Sequence, residues 1–290
     1  MYTTLISVPE LQTLRSSGQP CMVFDCSFEL MEPQAGERQY QQAHILGAVR
    51  ADLDRHLSAA KGASDTASGG RHPLPARETF AAWLGSIGFQ NGMQAVVYDR
   101  QGCNYCGRLW WMLKWAGHEA VAVLDGGLQA WQAGAGEIGS GADSGPAAAG
   151  SAAGFALSSA RAVLATTESV VGKLGRPVQT LVDARGAPRF RGEVEPLDPV
   201  AGHIPGALNR PFGLNLDAGG KFKPADQLRA EFDALLAGRE AASVVHHCGS
   251  GVSAVPNIIA MEVAGLGRAA LYAGSWSEWC SDPARPVAQG

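Results

Sequence analysis

Residues 244–254 carry a short β-branched run that ends at a cysteine and opens into a loop of small residues: Val244-Val245-His246-His247-Cys248-Gly249-Ser250-Gly251-Val252-Ser253-Ala254. A helix-like segment follows at residues 258–264, so the sequence predicts a strand, a loop and a helix, with the Cys248 thiol at the strand's carboxyl end. Ligands of open α/β sheets bind at that edge. Loop N–H groups and a helix N-terminus attract anions and favour thiolate, the nucleophilic form. The segment is typical of a reactive cysteine that faces an anionic substrate.

Cys248 has an alternative interpretation as a core residue, since free cysteine is among the most buried residue types. Gly249 and Gly251 follow it closely, and two polar histidines, His246 and His247, precede it. Glycines and histidines are poor core-packing neighbours, so we favour the reactive interpretation.

The composition is that of an ordinary globular protein. The chain has 290 residues, of which 46% are hydrophobic and 17% charged, which suits two domains with a core each. A net charge of −4 and the lack of a basic run argue against nucleic-acid binding. No signal-peptide pattern or membrane-spanning run is visible, and six cysteines make no disulfide framework, so we expect a cytoplasmic protein without membrane contact. No nucleotide fingerprint or metal-ligand cluster is present, so we expect no cofactor and no metal.

The chain contains an internal repeat. Residues 43–48 (Ala-His-Ile-Leu-Gly-Ala) return as residues 202–207 (Gly-His-Ile-Pro-Gly-Ala), each after a short strand-like run that ends in aspartate. Further along, Val97 aligns with Val245, and the same offset of 148 residues holds to the end of both copies. Such self-similarity indicates tandem copies of one fold. At this offset Cys248 aligns with an arginine, Arg100, which predicts a single active site in the second copy.

Each copy alternates short apolar runs with amphipathic helix patterns, such as the spacing of apolar residues along residues 80–87. This alternation predicts an α/β fold in which each copy is a parallel sheet with helices on both faces. We place a catalytically inactive domain at residues 1–134 and a catalytic domain at residues 161–290. The residues between them, 135–160, are rich in Gly, Ala and Ser and are typical of a flexible linker.

With these motifs together, the chain resembles the two-domain rhodanese-type sulfurtransferases over nearly its whole length. The resemblance rests on the His-Ile-x-Gly-Ala turns at His44 and His203, the Asp-Gly-Gly run at 125–127, the Gly-Ser-Trp-Ser-Glu-Trp run at 274–279 and the Cys248 loop. In that family only the second domain carries the catalytic cysteine, which agrees with the internal alignment. The resemblance implies two tandem rhodanese-like domains and sulfur transfer at Cys248.

The loop after the cysteine distinguishes subfamilies. Its residues Gly249, Ser250, Gly251, Val252 and Ser253 resemble the 3-mercaptopyruvate sulfurtransferase pattern Cys-Gly-Ser-Gly-Val-Thr-Ala, with Ser253 in place of threonine. Relatives that prefer thiosulfate usually carry Arg and Lys just after the cysteine. A dianion gains from full positive charges, whereas a monocarboxylate can be held by N–H groups, hydroxyls and one arginine. We therefore assign these five loop residues to substrate binding.

The resemblance also implies a carboxylate-binding arginine. The family motif Asp-Ala-Arg…Arg-Phe-Arg-Gly matches residues 183–192 and places this arginine at Arg189, with Arg185 and Arg191 as flanking candidates. Each of the three could instead be a solvated surface arginine. Many mercaptopyruvate enzymes have a second arginine where this chain has Asp198. We therefore expect weaker carboxylate binding, and an exclusive preference for mercaptopyruvate stays open.

Mercaptopyruvate enzymes have also been assigned a Ser–His–Asp arrangement beside the cysteine. By resemblance, its members in this chain are Ser250, His72 and Asp54. A serine, an imidazole and an orienting carboxylate form a proton relay, which could protonate the enolate that leaves as the C–S bond breaks. The alternative is that His72 and Asp54 only hydrogen-bond across the domain interface.

The implied mechanism is covalent and ping-pong. The Cys248 thiolate attacks the sulfur of 3-mercaptopyruvate, pyruvate leaves, and Cys248 carries a persulfide that loop N–H groups stabilise. A thiol, reduced thioredoxin or cyanide then takes the outer sulfur. The expected partners are a small sulfur donor and a thiol acceptor, with thioredoxin as one candidate.

Three other functions remain open. A thiosulfate:cyanide sulfurtransferase is disfavoured by the neutral loop but supported by the loss of the second arginine. The related dual-specificity phosphatases have a Cys-x-x-x-x-x-Arg loop, and Ala254 stands where their arginine would be. A non-enzymatic binding module would have no need of Cys248.

The run Cys103-Asn104-Tyr105-Cys106 could be a redox pair or half of a zinc site. No second C-x-x-C is present, and the run aligns with the inactive loop of the first copy. We therefore interpret Cys103 and Cys106 as structural thiols.

Overall fold

The computed structural model describes residues 1–60, 62–141 and 154–290, and the chain divides into two compact units. The first unit comprises Met1–Ala60, Pro75–Ala162 and Ala218–Lys221. The second comprises Lys61–Leu74, Val163–Asp217 and Phe222–Gly290. The segment that ends at Leu74 therefore belongs to the second unit, although it lies among first-unit residues in the sequence.

The first unit is a parallel sheet with helices between its strands. Its elements are β1 (Leu5–Ile6), α1 (Val8–Ser16), β2 (Cys21–Asp25), α2 (Ala35–Gln42), β3 (His44–Ile45), β4 (Val49–Arg50), α3 (Arg77–Ser86), β5 (Gln94–Tyr98), α4 (Cys106–Trp115), β6 (Val121–Leu124), α5 (Gly127–Ala133) and β7 (Ile138–Gly139). The sheet has the order β1-β6-β5-β2-β4, and every neighbouring pair is parallel. β3 and β7 form a separate antiparallel pair.

The second unit repeats this arrangement. Its elements are α6 (Thr167–Gly172), β8 (Thr180–Asp183), α7 (Ala187–Arg191), β9 (Leu208–Asn209), a 3₁₀ turn (Phe212–Asn215), α8 (Ala225–Leu236), a second 3₁₀ turn (Ala241–Ser243), β10 (Val244–His247), α9 (Val255–Val263), β11 (Ala270–Leu271) and α10 (Ser275–Trp279). The sheet has the order β11-β10-β8-β9, again with parallel neighbours throughout.

The two sheets have equivalent topologies. The strand order β11-β10-β8-β9 of the second sheet corresponds, strand by strand, to the order β6-β5-β2-β4 in the first sheet. A parallel bridge between Leu164 and Leu271 takes the place of the β1–β6 pairing. The offset of 148 residues brings Val97 of β5 onto Val245 of β10 and α4 onto α9 to within one residue. The predicted tandem α/β copies with parallel sheets are confirmed.

Apolar strand runs and helix stripes fill the core of each unit, as expected for parallel sheets covered by helices. In the second unit Trp276 and Trp279 are fully buried, next to Ile204 and Leu181. Their indole N–H groups donate to backbone carbonyls, at 2.9 Å in each case. Tryptophan buries a large apolar area while its N–H needs a partner, so both side chains anchor α10 firmly in the core.

The linker predicted at 135–160 lies partly outside the described residues, because residues 142–153 are not among them. Of the part that is described, β7 pairs with β3, and the Phe155 ring stacks 5.8 Å from that of Phe89. Asn91 exchanges two hydrogen bonds with the backbone of Ala156. The described ends of the segment thus pack on the first unit, and the domain limits stay predictions.

Within the described parts of the chain, none of the helices combines the length and the apolar character needed to cross a bilayer.

Candidate active site

Cys248 directly follows β10, an interior strand of the second sheet, at its carboxyl end. Its N–H donates to Ser275 Oγ at 3.0 Å, and its carbonyl accepts from the N–H of Trp276 at 3.0 Å. The start of α10 therefore holds the cysteine backbone on both sides. The residue is buried, with 2% of its surface exposed.

The two histidines before the cysteine are fully buried, so the argument that they make poor core neighbours is wrong. His246 Nε2 lies 3.1 Å from Met261 Sδ, and burial lowers the pKa of His246 to about 3. Burial also lowers the pKa of His247, against the opposing effect of Asp183. Two neutral imidazoles therefore precede the thiol, and they bring no positive charge to it.

The loop from Gly249 to Ser253 offers unpaired backbone donors. Within the part of the chain that the structure describes, the N–H groups of Gly249, Ser250, Val252 and Ser253 donate to no protein acceptor. Ser250 and Val252 are buried and Ser253 is partly exposed. Successive free N–H groups in a turn favour an anion, so the loop can stabilise negative charge near Cys248 without a charged side chain.

Gly251 shapes this loop. Its φ is +74°, a left-handed conformation that favours glycine. A Cβ atom built on it would lie 2.2 Å from the carbonyl oxygen of Ala273. Gly251 thus lets the loop pass close to the backbone that leads into α10, which no residue with a side chain could do.

His72 and Ser250 form a hydrogen bond, with 2.8 Å between Nδ1 and Oγ. Both residues are buried. His72 belongs to the segment that joins the second unit, and the N–H of the nearby Leu74 donates to Ser68 Oγ. Two of the three predicted relay members, His72 and Ser250, are therefore in contact, and Ser250 lies two positions after Cys248.

Asp54, the third predicted member, lies in the first unit. It is exposed there, and its N–H donates to Asp52 Oδ1 at 3.0 Å. Its part in the relay stays a prediction.

Arg185 is enclosed by acceptors. It donates to both oxygens of Asp183, to Glu195 at 3.2 Å and to the carbonyl of Gly202 at 2.7 Å. Its guanidinium also lies over the ring of Trp276. Burial raises the pKa of Asp183, but the Arg185 guanidinium lowers it, and the pKa of that carboxyl stays below its ordinary value. This geometry favours a structural role for Arg185, and substrate binding by it stays a prediction.

Arg189 is less enclosed, and its side chain is 21% exposed. Its Nε and Nη2 donate side by side to Glu195, and Nη2 also reaches Asp198 at 3.2 Å. A Cβ atom built on Gly249 would lie 3.5 Å from Arg189 Nη1. Arg189 therefore presents one end of its guanidinium to Gly249, the residue after Cys248. Arg191, by contrast, pairs with Glu193 at the exposed surface.

Sequence reasoning missed Arg71, which precedes His72. Its Nη1 donates to Asp198 Oδ1 at 2.6 Å, and its Nη2 would lie 2.9 Å from a Cβ atom on Gly249. Burial raises the pKa of Asp198, although Arg71 opposes that shift. The only signal in the sequence was the adjacency of Arg71 to a predicted site residue.

The corresponding loop of the first unit holds an ion pair where the second holds the thiol. Arg100 Nη1 lies 3.2 Å from Asp25 Oδ2, and Arg100 also donates to Ser27 and to two backbone carbonyls.

Cys103 and Cys106 are buried free thiols, and burial raises the pKa of both. A raised thiol pKa disfavours the reactive thiolate.

Across the described ranges 1–60, 62–141 and 154–290, no three His, Cys, Asp or Glu side chains are grouped so that they could hold a metal ion.

Comparison with known proteins agrees with this geometry. The model of the rhodanese-like domain matches residues 7–134 and 166–282. The chain is 46% identical over 277 residues to a probable 3-mercaptopyruvate sulfurtransferase of Pseudomonas aeruginosa, covering 95% of each chain. It is 39% identical over 290 residues to a putative thiosulfate sulfurtransferase of Mycobacterium tuberculosis, covering 99% of this chain and 97% of the relative.

The fold agrees as well. The structure of 3-mercaptopyruvate sulfurtransferase from Leishmania major superposes with a TM-score of 0.80 at 30% identity, covering 96% of this chain and 74% of that one. The predicted pair of tandem rhodanese-like domains is confirmed by the two matched segments. The chain belongs to the family of two-domain rhodanese-type sulfurtransferases.

Proposed function

We propose that the chain moves the sulfur of 3-mercaptopyruvate to a thiol or to cyanide through a persulfide on Cys248, with release of pyruvate. One observation carries the choice of donor. The loop after Cys248 bears no charged side chain, and four of its N–H groups have no acceptor among the described residues; a guanidinium end of Arg189 lies beside Gly249. Such a site suits a monocarboxylate that brings its own carbonyl. The names of two similar proteins, from Pseudomonas aeruginosa and Leishmania major, support it.

In the first step the Cys248 thiolate attacks the sulfur of the donor. An S–S bond forms, the C–S bond breaks, and its electron pair stays on carbon as the enolate of pyruvate. The enolate takes up one proton and leaves as pyruvate. The outer sulfur keeps its own hydrogen, which it loses to solvent as the persulfide ionises. The free N–H groups of the loop would stabilise the negative charge on the persulfide.

The proton for the enolate comes from the relay. Ser250 Oγ donates it, and His72 Nδ1, at 2.8 Å, replaces it. General acid catalysis of this kind is worth about 100- to 10,000-fold in rate. Asp54 would orient the imidazole, as the family resemblance implies.

In the second step an acceptor thiolate attacks the outer sulfur. A new S–S bond forms on the acceptor, the S–S bond to Cys248 breaks, and the Cys248 thiolate is restored. Reduced thioredoxin would accept the sulfur in this way and release sulfide through its second thiol. All six cysteines are free thiols, which suits a reducing cytoplasm.

Thiosulfate is the second candidate donor, and one observation favours it. Two guanidiniums rather than one face Gly249, from Arg71 and Arg189. A dianion gains more from two positive charges than a monocarboxylate does.

The test is a steady-state comparison of the two donors with cyanide as the acceptor and Cys248→Ser as the control. We expect kcat/KM for 3-mercaptopyruvate to exceed that for thiosulfate about tenfold or more, equivalent to about 1.4 kcal/mol. A preference for thiosulfate would refute the choice of donor but keep the persulfide. Activity that survives in Cys248→Ser would refute the mechanism.

A further inference from the structure

Asp99 directly follows β5 and has the position in the first unit that Cys248 has in the second. In each sheet, the last residue of the preceding strand pairs with the aspartate that ends the neighbouring strand. The Asp99 carbonyl accepts from the N–H of Leu128, and the Cys248 carbonyl accepts from the N–H of Trp276. Arg100, which the sequence offset aligns with Cys248, comes one position later. The strand pairing therefore aligns a carboxylate with the thiol.

The carboxylate of Asp99 is buried and surrounded by backbone donors. Its Oδ1 accepts from the N–H groups of Gln101 at 2.9 Å and Cys103 at 3.0 Å. Its Oδ2 accepts from those of Tyr105 at 2.8 Å and Cys106 at 2.9 Å. The matching loop of the second unit has four N–H groups without an acceptor among the described residues. The first loop is thus an anion-binding loop of the same kind, and its anion is Asp99.

The backbone at Cys103 is bent to fit this carboxylate. Its φ is +67°, in the left-handed region that residues with a side chain rarely adopt. Such a conformation persists only where the surrounding structure enforces it. The Cys103 N–H donates to Asp99 in this conformation, and a hydrogen bond to a charged acceptor is of the stronger kind. The loop is therefore shaped around a negative charge.

Three thiols lie close to the same charge. The thiols of Cys103 and Cys106 hydrogen-bond to each other, and Cys26 follows β2, the strand beside β5. Burial raises the pKa of all three thiols, and the negative charge of Asp99 raises each pKa further. A thiol at the start of a helix such as α4 would otherwise be favoured as thiolate. Asp99 opposes that effect.

From these contacts we propose that Asp99 determines which thiol of the chain accepts sulfur. Its carboxylate occupies the place that an anionic sulfur would take in the first-unit loop. The loop therefore has no room for an anionic donor, and Cys103 and Cys106 stay unreactive beside it. The first unit is kept inert by a built-in anion, and not only by the lack of a cysteine after β5. The comparison with an anionic sulfur rests on the proposed function.

The test removes the carboxylate and then adds a small one back. Asp99→Ala empties the loop, and sodium formate supplies a carboxylate of the right size, with sodium chloride at equal ionic strength as the reference. We expect Asp99→Ala to have a lower Tm than the wild type, because four N–H groups lose their acceptor. Formate should raise the Tm of Asp99→Ala more than that of the wild type.

The reactivity of the thiols is the second readout. Labelling with iodoacetamide at neutral pH, followed by peptide mass analysis, gives a rate for each cysteine. We expect Cys103 or Cys106 to be labelled about tenfold faster per folded molecule in Asp99→Ala, which is the effect of one pKa unit on the thiolate fraction. Formate should reverse this gain. Cys248, in the other unit, should keep its wild-type rate and serves as the internal reference.

The matched control is Glu78→Ala, which removes an exposed carboxylate from α3 in the same unit and should change neither readout. Asp99→Asn covers the case in which Asp99→Ala does not fold, because the amide keeps the shape and one acceptor oxygen but loses the charge. It should also label Cys103 or Cys106 faster. Formate should have no effect on it, since the amide still fills the loop.

Wild-type labelling rates in folded Asp99→Asn would overturn the proposal, because they would show that Asp99 only holds the loop together. A faster rate in Asp99→Ala that formate does not reverse would overturn it as well, because it would indicate a loosened loop. No sulfur donor takes part in the test. A failure of the proposed function would therefore appear in the donor assay and not here.

Discussion

His72 Nδ1 lies 2.8 Å from Ser250 Oγ, although 178 positions separate the two residues. Both are buried, and Ser250 is part of the loop that follows Cys248. A hydroxyl on a nucleophile loop that bonds to a buried imidazole is poised to pass a proton. The bond therefore joins the segment that ends at Leu74 to the loop after Cys248.

We expect His72→Gln to lower kcat for sulfur transfer from 3-mercaptopyruvate about 100-fold, because the proton donor at Ser250 is no longer replenished. Ser250→Ala should cost a similar factor. The double variant should lose little more, because residues that act as one unit are not additive. The measurement is the rate of pyruvate release in a single turnover. Additive losses would contradict the relay.

We expect Gly251→Ala to unfold the loop and abolish activity, because its Cβ would lie 2.2 Å from the Ala273 carbonyl oxygen. The matched control is Gly206→Ala in the same unit, where φ is +78° but no atom lies within 4 Å. The control should cost only the strain of a left-handed alanine, about 1–2 kcal/mol. Denaturant unfolding of both variants measures the difference. Equal destabilisation would show that the close approach is unimportant.

The buried His246 should make stability depend on pH. Burial lowers its pKa from 6.5 to about 3. Between these pH values the unfolded chain therefore binds a proton at His246 that the folded chain does not bind. Stability is therefore full above pH 6.5 and is lost as the pH falls toward 3, at up to about 1.4 kcal/mol per pH unit. His246→Leu should remove this part of the slope. The measurement is the free energy of unfolding by denaturant at pH 7 and pH 5, for both proteins. The same pH dependence in His246→Leu as in the wild type would contradict the prediction.

Arg100 should matter for stability and not for chemistry. Arg100→Met removes the nearer of the two ion-pair partners of the buried Asp25 and leaves only Arg50, at 4.0 Å; breaking a buried ion pair typically costs about 3–5 kcal/mol. Asp25→Asn in the same chain should restore part of that loss. Sulfur transfer per folded molecule should stay within about twofold of wild type. A folded Arg100→Met protein that has lost activity would show that Arg100 itself supports the reaction.

The repeat and the place of Cys248 could be predicted because they depend on local patterns. A constant offset from Val97 to Val245 needs no gap, so it aligned Cys248 with Arg100 and predicted a single active site in the second copy. The meeting of His72 with Ser250 followed from family resemblance alone, since nothing in the spacing of these residues brings them together.

Other features depend on contacts that no local pattern records. Arg71 reaches Gly249 because its backbone lies on the turn of Ser277. His246 looked like a poor core residue, yet it packs neutral against a methionine sulfur. Burial and charge of this kind are set by the assembled unit, and the sequence shows only the residue types.

The most direct test of the account is the mass of the intact protein after brief exposure to 3-mercaptopyruvate without an acceptor. We expect a gain of one sulfur atom per chain, one pyruvate released for each, and no gain in Cys248→Ser. Because Cys103 and Cys106 are buried with raised pKa values, they should take up none. A wild-type protein that gains no sulfur, or an equal gain in Cys248→Ser, would contradict the persulfide at Cys248.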